Sequence, residues 1–367
     1  MKTSSMIKTL WIVPETAGGI QNYASVLVAP LAHSTRIIVK IPKPAEIADA
    51  VKKDEISLIH LQHEFGLFGS KLPGLNRFPK WFAAARGVTP GTKWVATAHT
   101  VLDAKWRYST AGRGWKSVPF SFFNLLLPLL RKNWLEKTWR DFDAVIVHSE
   151  HQVATIRASG CPKVVVIPHF VPSVENRSVR EPELPSVLLF GYFSPEKGQD
   201  IAIRAWHSLG KSAPKLILAG GMRRPEDQTY FKKCVDLIES LGLRNRIEIT
   251  GFVPSEQVTE YFSRATLVIA PFRETSGSGS LATAVGHGAA VLASDLALNL
   301  EIVQRVPGSL AFFSSESPEE LAEKVRALLA DFPARQSLRA GAIRYAEAYS
   351  VEKIADLHQK LYAEILQ

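Results

Sequence analysis

Cysteine is almost missing from this 367-residue chain; Cys161 and Cys234 are the only two, and they stand far apart. That excludes a disulfide framework and a cysteine-based zinc motif, and it points to a reducing compartment. Long apolar runs are missing too. No stretch approaches the ~20 residues that a membrane-spanning helix needs. The short run at residues 10–13 ends at Pro14, too brief for the apolar core of a secretory signal, so a cytoplasmic location is expected. There is no repeat of solenoid period and no low-complexity tract. Acidic residues are scarce in one half only. Residues 1–180 hold 24 of the 44 basic but 12 of the 35 acidic residues, a balance of +12, whereas residues 181–367 carry −3. A basic first half implies an anionic partner on that half. No nucleic-acid-binding module is recognisable, so nucleic acid is not the expected partner.

What is present reads as a soluble α/β protein. Apolar content of 46% and charged content of 22% are ordinary for a globular enzyme, and the length fits two domains. Short Val/Ile-rich runs alternate with helical patterns. Strands are expected at 9–13, 34–41, 57–61, 93–98, 144–148 and 164–167, then at 187–190, 215–219, 247–250, 267–270 and 290–294. Such runs are apolar on both faces, as strands covered by helices on both sides are. The pattern predicts two consecutive doubly wound parallel-sheet domains, residues 1–172 and 186–349. Residues 171–185, with Pro172, Pro182 and Pro185 and no periodicity, read as the linker. A final amphipathic helix fills most of 350–367, with Ser350 as its N-cap.

Two segments carry most of the chemistry. Residues 190–198 read Phe-Gly-Tyr-Phe-Ser-Pro-Glu-Lys-Gly between a strand and a helix. Residues 270–295 place a Gly/Ser-rich turn, with Glu274 its one carboxylate, between a strand and a small-residue helix. Backbone amides at a helix start, together with the helix dipole, favour an anion, so two such loops suggest a nucleotide-diphosphate ligand. Lys197 can neutralise phosphate as a point charge or be an ordinary solvated lysine. Glu274 can accept from sugar hydroxyls or simply favour a helix dipole. Gly18-Gly19 follows the first strand, where a backbone can approach a ligand closely, but it is not the dinucleotide fingerprint. His99 ends one strand, with Asp103 just beyond it, and His63 and Glu64 end another. Ligands of open parallel sheets bind at such strand ends. No tight spacing of these histidines supports a metal site, and none is expected. Asp141-Phe142-Asp143 matches an Asp-x-Asp metal and sugar-nucleotide pattern, but its position before a strand reads as junction chemistry. Between residues 113 and 140, Phe and Leu side chains beside Arg113, Lys116, Arg131, Lys132 and Lys137 fit contact with an anionic membrane surface, or a core helix with solvated ends. Pro119 and Pro128 predict a short or kinked helix there.

These residues together resemble the GT-B glycosyltransferases, specifically the retaining family 4 (glycosyl transferases group 1), along nearly the whole chain. The landmarks follow in order: Gly18-Gly19, His99, Ser149, Ser-Pro-Glu-Lys-Gly at 194–198, Gly220-Gly221, Gly251-Phe252-Val253, and the Glu274 loop leading to Ala293-Ser294. The resemblance implies two Rossmann-like domains facing a central cleft. The first (1–172) is on the acceptor side and the second (186–349) on the nucleotide-sugar side, and residues 350–367 cross back to the first. It implies catalytic roles for His99, Glu274 and Lys197. Donor contacts would come from Gly18, Gly19, Tyr192, Lys197, Arg273, Glu274, Ser276, Gly277, Ser278, Gly279, Ser280, Leu281 and Thr283. His63, Glu64 and Asp103 are the acceptor-side candidates. Two departures stand out. The second family glutamate falls on Thr283, and the family arginine after the strand glycine is Tyr192, so a cation is lost unless Arg273 or Arg223 replaces it. The implied reaction is retaining, metal-independent transfer of a hexose from a nucleotide-diphosphate sugar to an acceptor hydroxyl, with no cofactor beyond the donor. The acceptor would be a saccharide or lipid-linked, as in polysaccharide biosynthesis, with the protein peripheral on the inner face of the membrane. A sugar-nucleotide epimerase of the same fold, or a non-catalytic nucleotide- or sugar-binding protein, is the alternative.

Overall fold

The computed structural model describes residues 7–15, 19–69, 76–102, 118–174, 182, 184–222, 225–275 and 277–367. The chain divides into two compact units, one formed by residues 1–168 with 354–367, the other by residues 169–353.

In unit 1 the elements run β1 (Thr9–Ile12), α1 (Gly19–Val28), β2 (Thr35–Ile38), α2 (Pro44–Asp54), β3 (Leu58–His63), α3 (Phe78–Gly87), β4 (Lys93–Ala98), α4 (Val118–Trp139), β5 (Ala144–Val147), α5 (Glu150–Arg157) and β6 (Val164–Val166). The strands form one parallel sheet in the order β2-β1-β3-β4-β5-β6. Strand periodicity divides its residues between two environments. Leu10, Ile12, Ile59, Leu61, Trp94, Ala96, Val145 and Val147 enter one apolar core with Phe65, Phe78, Phe82 and Trp139. Trp11, His60, Gln62 and Thr97 have the opposite parity; all four are buried, three of them polar.

Unit 2 contains β7 (Ser186–Phe190), α6 (Gln199–Leu209), β8 (Lys215–Ala219), α7 (Gln228–Ser240), β9 (Ile247–Gly251), α8 (Ser255–Ser263), β10 (Leu267–Ala270), α9 (Gly279–Gly286), β11 (Val291–Ser294), α10 (Ala297–Arg305), β12 (Ala311–Phe313), α11 (Pro318–Ala330) and α12 (Phe332–Ala348). Its parallel sheet has the order β12-β11-β10-β7-β8-β9. Alternate residues enter two separate apolar layers, Val187, Leu189, Leu216 and Ile269 in one, Leu188, Ile217, Val268 and Ala270 in the other. Both faces are therefore covered, which explains why these strands read as unbroken apolar runs. The last helix, α13 (Val351–Leu366), begins in unit 2, and its residues from Ile354 onward belong to unit 1.

Two expectations need correction. The segment around Pro119 and Pro128 forms a single 22-residue helix, α4, which overturns the short alternative of the short-or-kinked expectation. Pro119 lies in the first turn, where an N–H has no intrahelical partner, and Pro128 removes one internal hydrogen bond without ending the helix. Its C-terminal part is core, since Trp139 packs edge-on to His63 and Phe65 while Trp134 packs against Phe65. Among the described residues, no helix is long and apolar enough to cross a membrane. The second correction is β12, which the sequence reading missed.

Candidate active site

The order of the unit 2 sheet reverses between β10 and β7, and two loops meet at the carboxyl ends of these neighbours. Open parallel sheets bind ligands at such a switch point. After β7 the chain turns through Gly191 and a single 3₁₀ turn, Pro195–Lys197, into Gly198. Gly198 has φ +67°, and a Cβ there would lie 1.9 Å from the carbonyl oxygen of Pro271, just beyond β10. Only glycine fits, so the lysine turn is seated directly on the β10 loop.

Lys197 is the centre of this meeting. Its Nζ donates to Ser280 Oγ at 3.0 Å and to Ser278 Oγ at 3.2 Å, and lies 3.9 Å from the centroid of the Phe272 ring. Ser278 is the N-cap of α9, accepting from the Leu281 amide at 3.3 Å. The amides of Gly279 and Ser280 stand ahead of the first intrahelical bond, from Ala282 N to Ser278 O. An ammonium, two hydroxyls and a helix N-terminus thus converge on one spot, a combination suited to phosphate oxygens. The Leu281 amide already donates to its N-cap Ser278 rather than standing open to a ligand as expected of it.

Arg273 also departs from expectation. Its guanidinium forks onto Asp200 at 2.9 and 3.1 Å, donates to the Pro195 carbonyl at 2.8 Å, and its Nε lies 3.5 Å from Glu316. Its backbone amide donates to the Glu196 carbonyl. It is therefore a brace under the lysine turn and not a replacement cation for the diphosphate. Asp200 also accepts from the Tyr230 hydroxyl at 2.7 Å and lies 3.4 Å from Lys233 Nζ. Burial acts to raise the Asp200 pKa, but the hydrogen bonds from Arg273 and Tyr230 prevail and hold its carboxyl below the usual range. The Thr283 hydroxyl turns back onto its own helix, donating to the Gly279 carbonyl at 2.7 Å. Glu274 is exposed beside the site. Tyr192 is exposed at the end of β7, Met222 follows β8 and Phe252 follows β9, at 36%, 47% and 68% exposure. Their loops are tied together by backbone bonds, Gly191 N to Ala219 O and Phe193 N to Gly221 O, and by a bridge between Gly220 and Gly251. Sequence reasoning did not single out Met222 or a role for Phe252; exposed large apolar side chains at three adjacent strand ends are the signal.

The unit 1 candidates separate. His99 follows β4, is half-buried, and its Nε2 is 2.8 Å from Gln62 Oε1. The ring packs edge-on to Tyr23 at 5.2 Å and lies 5.6 Å from that of His148. His63 is wholly buried among Phe65, Phe68, Phe78 and Trp139, and neither ring nitrogen has a hydrogen-bond partner. Burial drives its pKa down to about 3. It is a core histidine and not an acceptor ligand, because strand parity puts it on the side of Ile59 and Leu61. Glu64, its half-buried neighbour, is the N-cap of a short 3₁₀ turn, Phe65–Phe68. Gly19 opens α1, and a Cβ there would meet nothing within 4 Å. Gly18, Asp103, Ser276 and Arg223 lie outside the described residues. Asp143 accepts from Arg86 at 3.0 Å, Lys93 at 3.1 Å and the Trp94 amide at 2.9 Å, the junction chemistry expected of it. Among the described residues, no cluster of three or more His, Cys, Asp or Glu is placed to hold a metal ion.

Comparison with known proteins finds similarity to a family over part of the chain. Residues 184–331 match the family model described as Glycosyl transferases group 1. The chain is 28% identical over 226 residues to the human GDP-Man:Man(3)GlcNAc(2)-PP-Dol alpha-1,2-mannosyltransferase, covering 56% of this chain and 46% of that protein. It is 28% identical over 188 residues to the D-inositol 3-phosphate glycosyltransferase 1 of Catenulispora acidiphila, covering 49% and 44%. The chain thus spans about half the length of the curated relatives it matches. Among solved structures, a glycosyltransferase from Rickettsia africae superimposes with TM-score 0.73 at 15% identity over 99% of both chains. Anabaena HepE in complex with UDP does so with TM-score 0.72 at 16% identity, over 97% of this chain and 100% of that one. The two parallel six-stranded sheets are those of the GT-B glycosyltransferase fold.

Proposed function

We propose that this chain, a GT-B protein whose second unit carries a glycosyl transferases group 1 domain, moves a hexose from a nucleotide-diphosphate sugar to an acceptor hydroxyl with retention at the anomeric carbon. The observation that carries the reading is Lys197, held within 3.2 Å of Ser278 and Ser280 at the N-terminus of α9 and at the sheet's switch point. There it neutralises the diphosphate together with the amides of Gly279 and Ser280, which is the charge stabilisation a departing nucleoside diphosphate needs. With the phosphate charge met by ammonium, hydroxyls and helix dipole, the reaction proceeds without a metal. The bond from the anomeric carbon to the diphosphate oxygen breaks, the acceptor oxygen bonds the same carbon on the same face, and the acceptor's proton passes to the departing phosphate oxygen. The exposed ring of Phe252, with Tyr192 and Met222, suits a planar base. Glu274 serves the sugar hydroxyls. Unit 1 supplies the acceptor side, with His99 as its group for the reacting bond.

The acceptor is a saccharide or is lipid-linked. The name of the human relative specifies Man(3)GlcNAc(2)-PP-Dol, and α4 of this chain exposes both Leu125 (73%) and Lys132. Flotation with anionic liposomes at low salt tests the membrane part, and a protein that stays with the soluble fraction removes it. For the donor, thermal unfolding is followed with a panel of nucleoside diphosphates, since a ligand of the native state raises apparent stability by mass action. The expected result is stabilisation by one nucleotide, lost in Lys197→Ala, with product from the matching nucleotide sugar. Stabilisation by none ends the proposal. Binding without transfer to any acceptor points to the binding-protein alternative, which the absent carboxylate at Thr283 favours.

A further inference from the structure

A chain of polar side chains runs through the buried face of unit 1 that carries Trp11, His60, Gln62 and Thr97. His60 and Gln62, two residues apart on β3, have no solvent exposure. Gln62 Oε1 lies 2.8 Å from His99 Nε2, and Gln62 Nε2 lies 3.4 Å from His60 Nε2. His60 Nε2 is also 2.8 Å from Thr97 Oγ1, and its Nδ1 pairs with the Tyr362 hydroxyl of α13. Trp11 and His358 pack against the His60 ring at centroid distances of 4.4 and 5.6 Å. Burying a carboxamide is costly unless it is hydrogen-bonded, so glutamine at this position calls for a reason that a leucine would not meet.

The reason is chemical. A carboxamide oxygen only accepts, so His99 Nε2 must carry the hydrogen and Nδ1 is the basic nitrogen of the neutral ring. We propose that Gln62 is a positioning residue for His99, fixing its tautomer and ring orientation, and that the His60–Tyr362 pair holds Gln62 in turn. The inference rests on the reading of His99 as the group at the reacting bond. Among the described residues, Tyr23 from α1, His148 after β5 and His60 from β3 are titratable neighbours of His99. Burial raises the Tyr23 pKa, lowers that of His148, and, with His358 and His99, holds that of His60 well down. These three neighbours are therefore neutral near pH 7, and Gln62, itself uncharged, bears on which nitrogen is protonated through its hydrogen bond. A histidine of undefined tautomer presents its basic nitrogen in only a fraction of molecules.

The test follows the His99 imidazole by nitrogen-resolved NMR in the full chain, wild type against Gln62→Leu and Gln62→Glu. Wild type is expected to show the Nε2–H tautomer alone, and Gln62→Leu a mixture of both. The near-isosteric Gln62→Glu keeps an acceptor but adds charge, and moves the His99 titration up by about one pH unit or more. With the donor identified by the nucleotide panel, Gln62→Leu lowers kcat about tenfold, the rate equivalent of one lost hydrogen bond, with donor KM unchanged. Gln62→Glu shifts the pH profile of kcat upward with the NMR titration. If both folded variants keep the wild-type tautomer and titration, the inference is overturned whatever the activity. If His99→Ala keeps full turnover while the NMR behaves as expected, the role of His99 fails and the positioning by Gln62 stands.

Discussion

At the scale of single residues, Lys197 and Arg273 look alike in sequence, two cations in phosphate-suited loops, yet the structure gives them different surroundings. Lys197 donates to two hydroxyls and stands over an aromatic face, and in the proposed function it turns to a phosphate. Lys197→Ala should weaken nucleotide-diphosphate binding by about 1.5–3 kcal/mol, the worth of a charge-assisted hydrogen bond, with unfolding stability nearly unchanged. Titration calorimetry beside denaturant unfolding reads both. Arg273 neutralises a carboxyl that is 8% exposed. Arg273→Ala leaves Asp200 with Tyr230 and Lys233 alone and should cost about 1.5–3 kcal/mol of stability, visible as a lowered denaturant midpoint. The difference was not legible in the sequence, because the partner of Arg273 lies 73 positions away. His63 was read as an acceptor-side candidate although the sequence could place it: in Leu58–His63 it shares the parity of Ile59 and Leu61, and period two assigns it to their apolar side.

At the scale of elements, glycines separate scaffold from site. Gly198 has a left-handed φ of +67° and a backbone carbonyl where a Cβ belongs. Gly198→Ala should therefore displace the lysine turn from the β10 loop and destabilise unit 2 by more than about 2 kcal/mol. Gly19 meets no protein atom, so Gly19→Ala should leave the melting temperature in place or raise it slightly through helix propensity. If donor phosphates approach Gly19, transfer nonetheless falls; equal activity in wild type and Gly19→Ala would remove this glycine from the donor site. Strands β1 to β11 were legible because most carry the apolar run that a doubly covered sheet requires, and edge strands such as β2 and β9 still hold two isoleucines each. β12 was not. It is a three-residue edge strand, and the apolar run 310–313 that marks it was passed over because it is short and has no Val or Ile. α4 was misread for the converse reason, since local proline chemistry was weighed above the packing of Trp134, Leu135 and Trp139 that holds the helix in the core.

For the whole molecule, the buried histidines predict how the fold responds to acid. His60, His63, His148 and His358 all lie in unit 1 and are all depressed, chiefly by burial, with His63 at about 3 and His358 at about 4. A histidine that stays neutral when folded binds fewer protons than its unfolded counterpart, which titrates near 6.5. Stability therefore rises with pH between the two values, and as pH falls below about 6.5 each such histidine removes up to ~1.4 kcal/mol per pH unit until its folded pKa is reached. Unit 2 has a different ledger. Its Asp200 is depressed, so its contribution is retained above the ordinary aspartate range and lost only as pH falls below about 4. Mild acid should thus weaken unit 1 first. Hydrogen exchange read by peptide at pH 7 and, after correction for intrinsic rates, at pH 5 is expected to show β1, β3 and β4 losing protection while β7, β8 and β10 keep theirs. Equal loss in both units would mean that the histidines titrate normally in the native state, and with that the buried His60–Gln62–His99 chain would have to be solvated. The two predictions are linked, because water reaching His60 would also offer Gln62 and His99 alternative partners and dissolve the single tautomer.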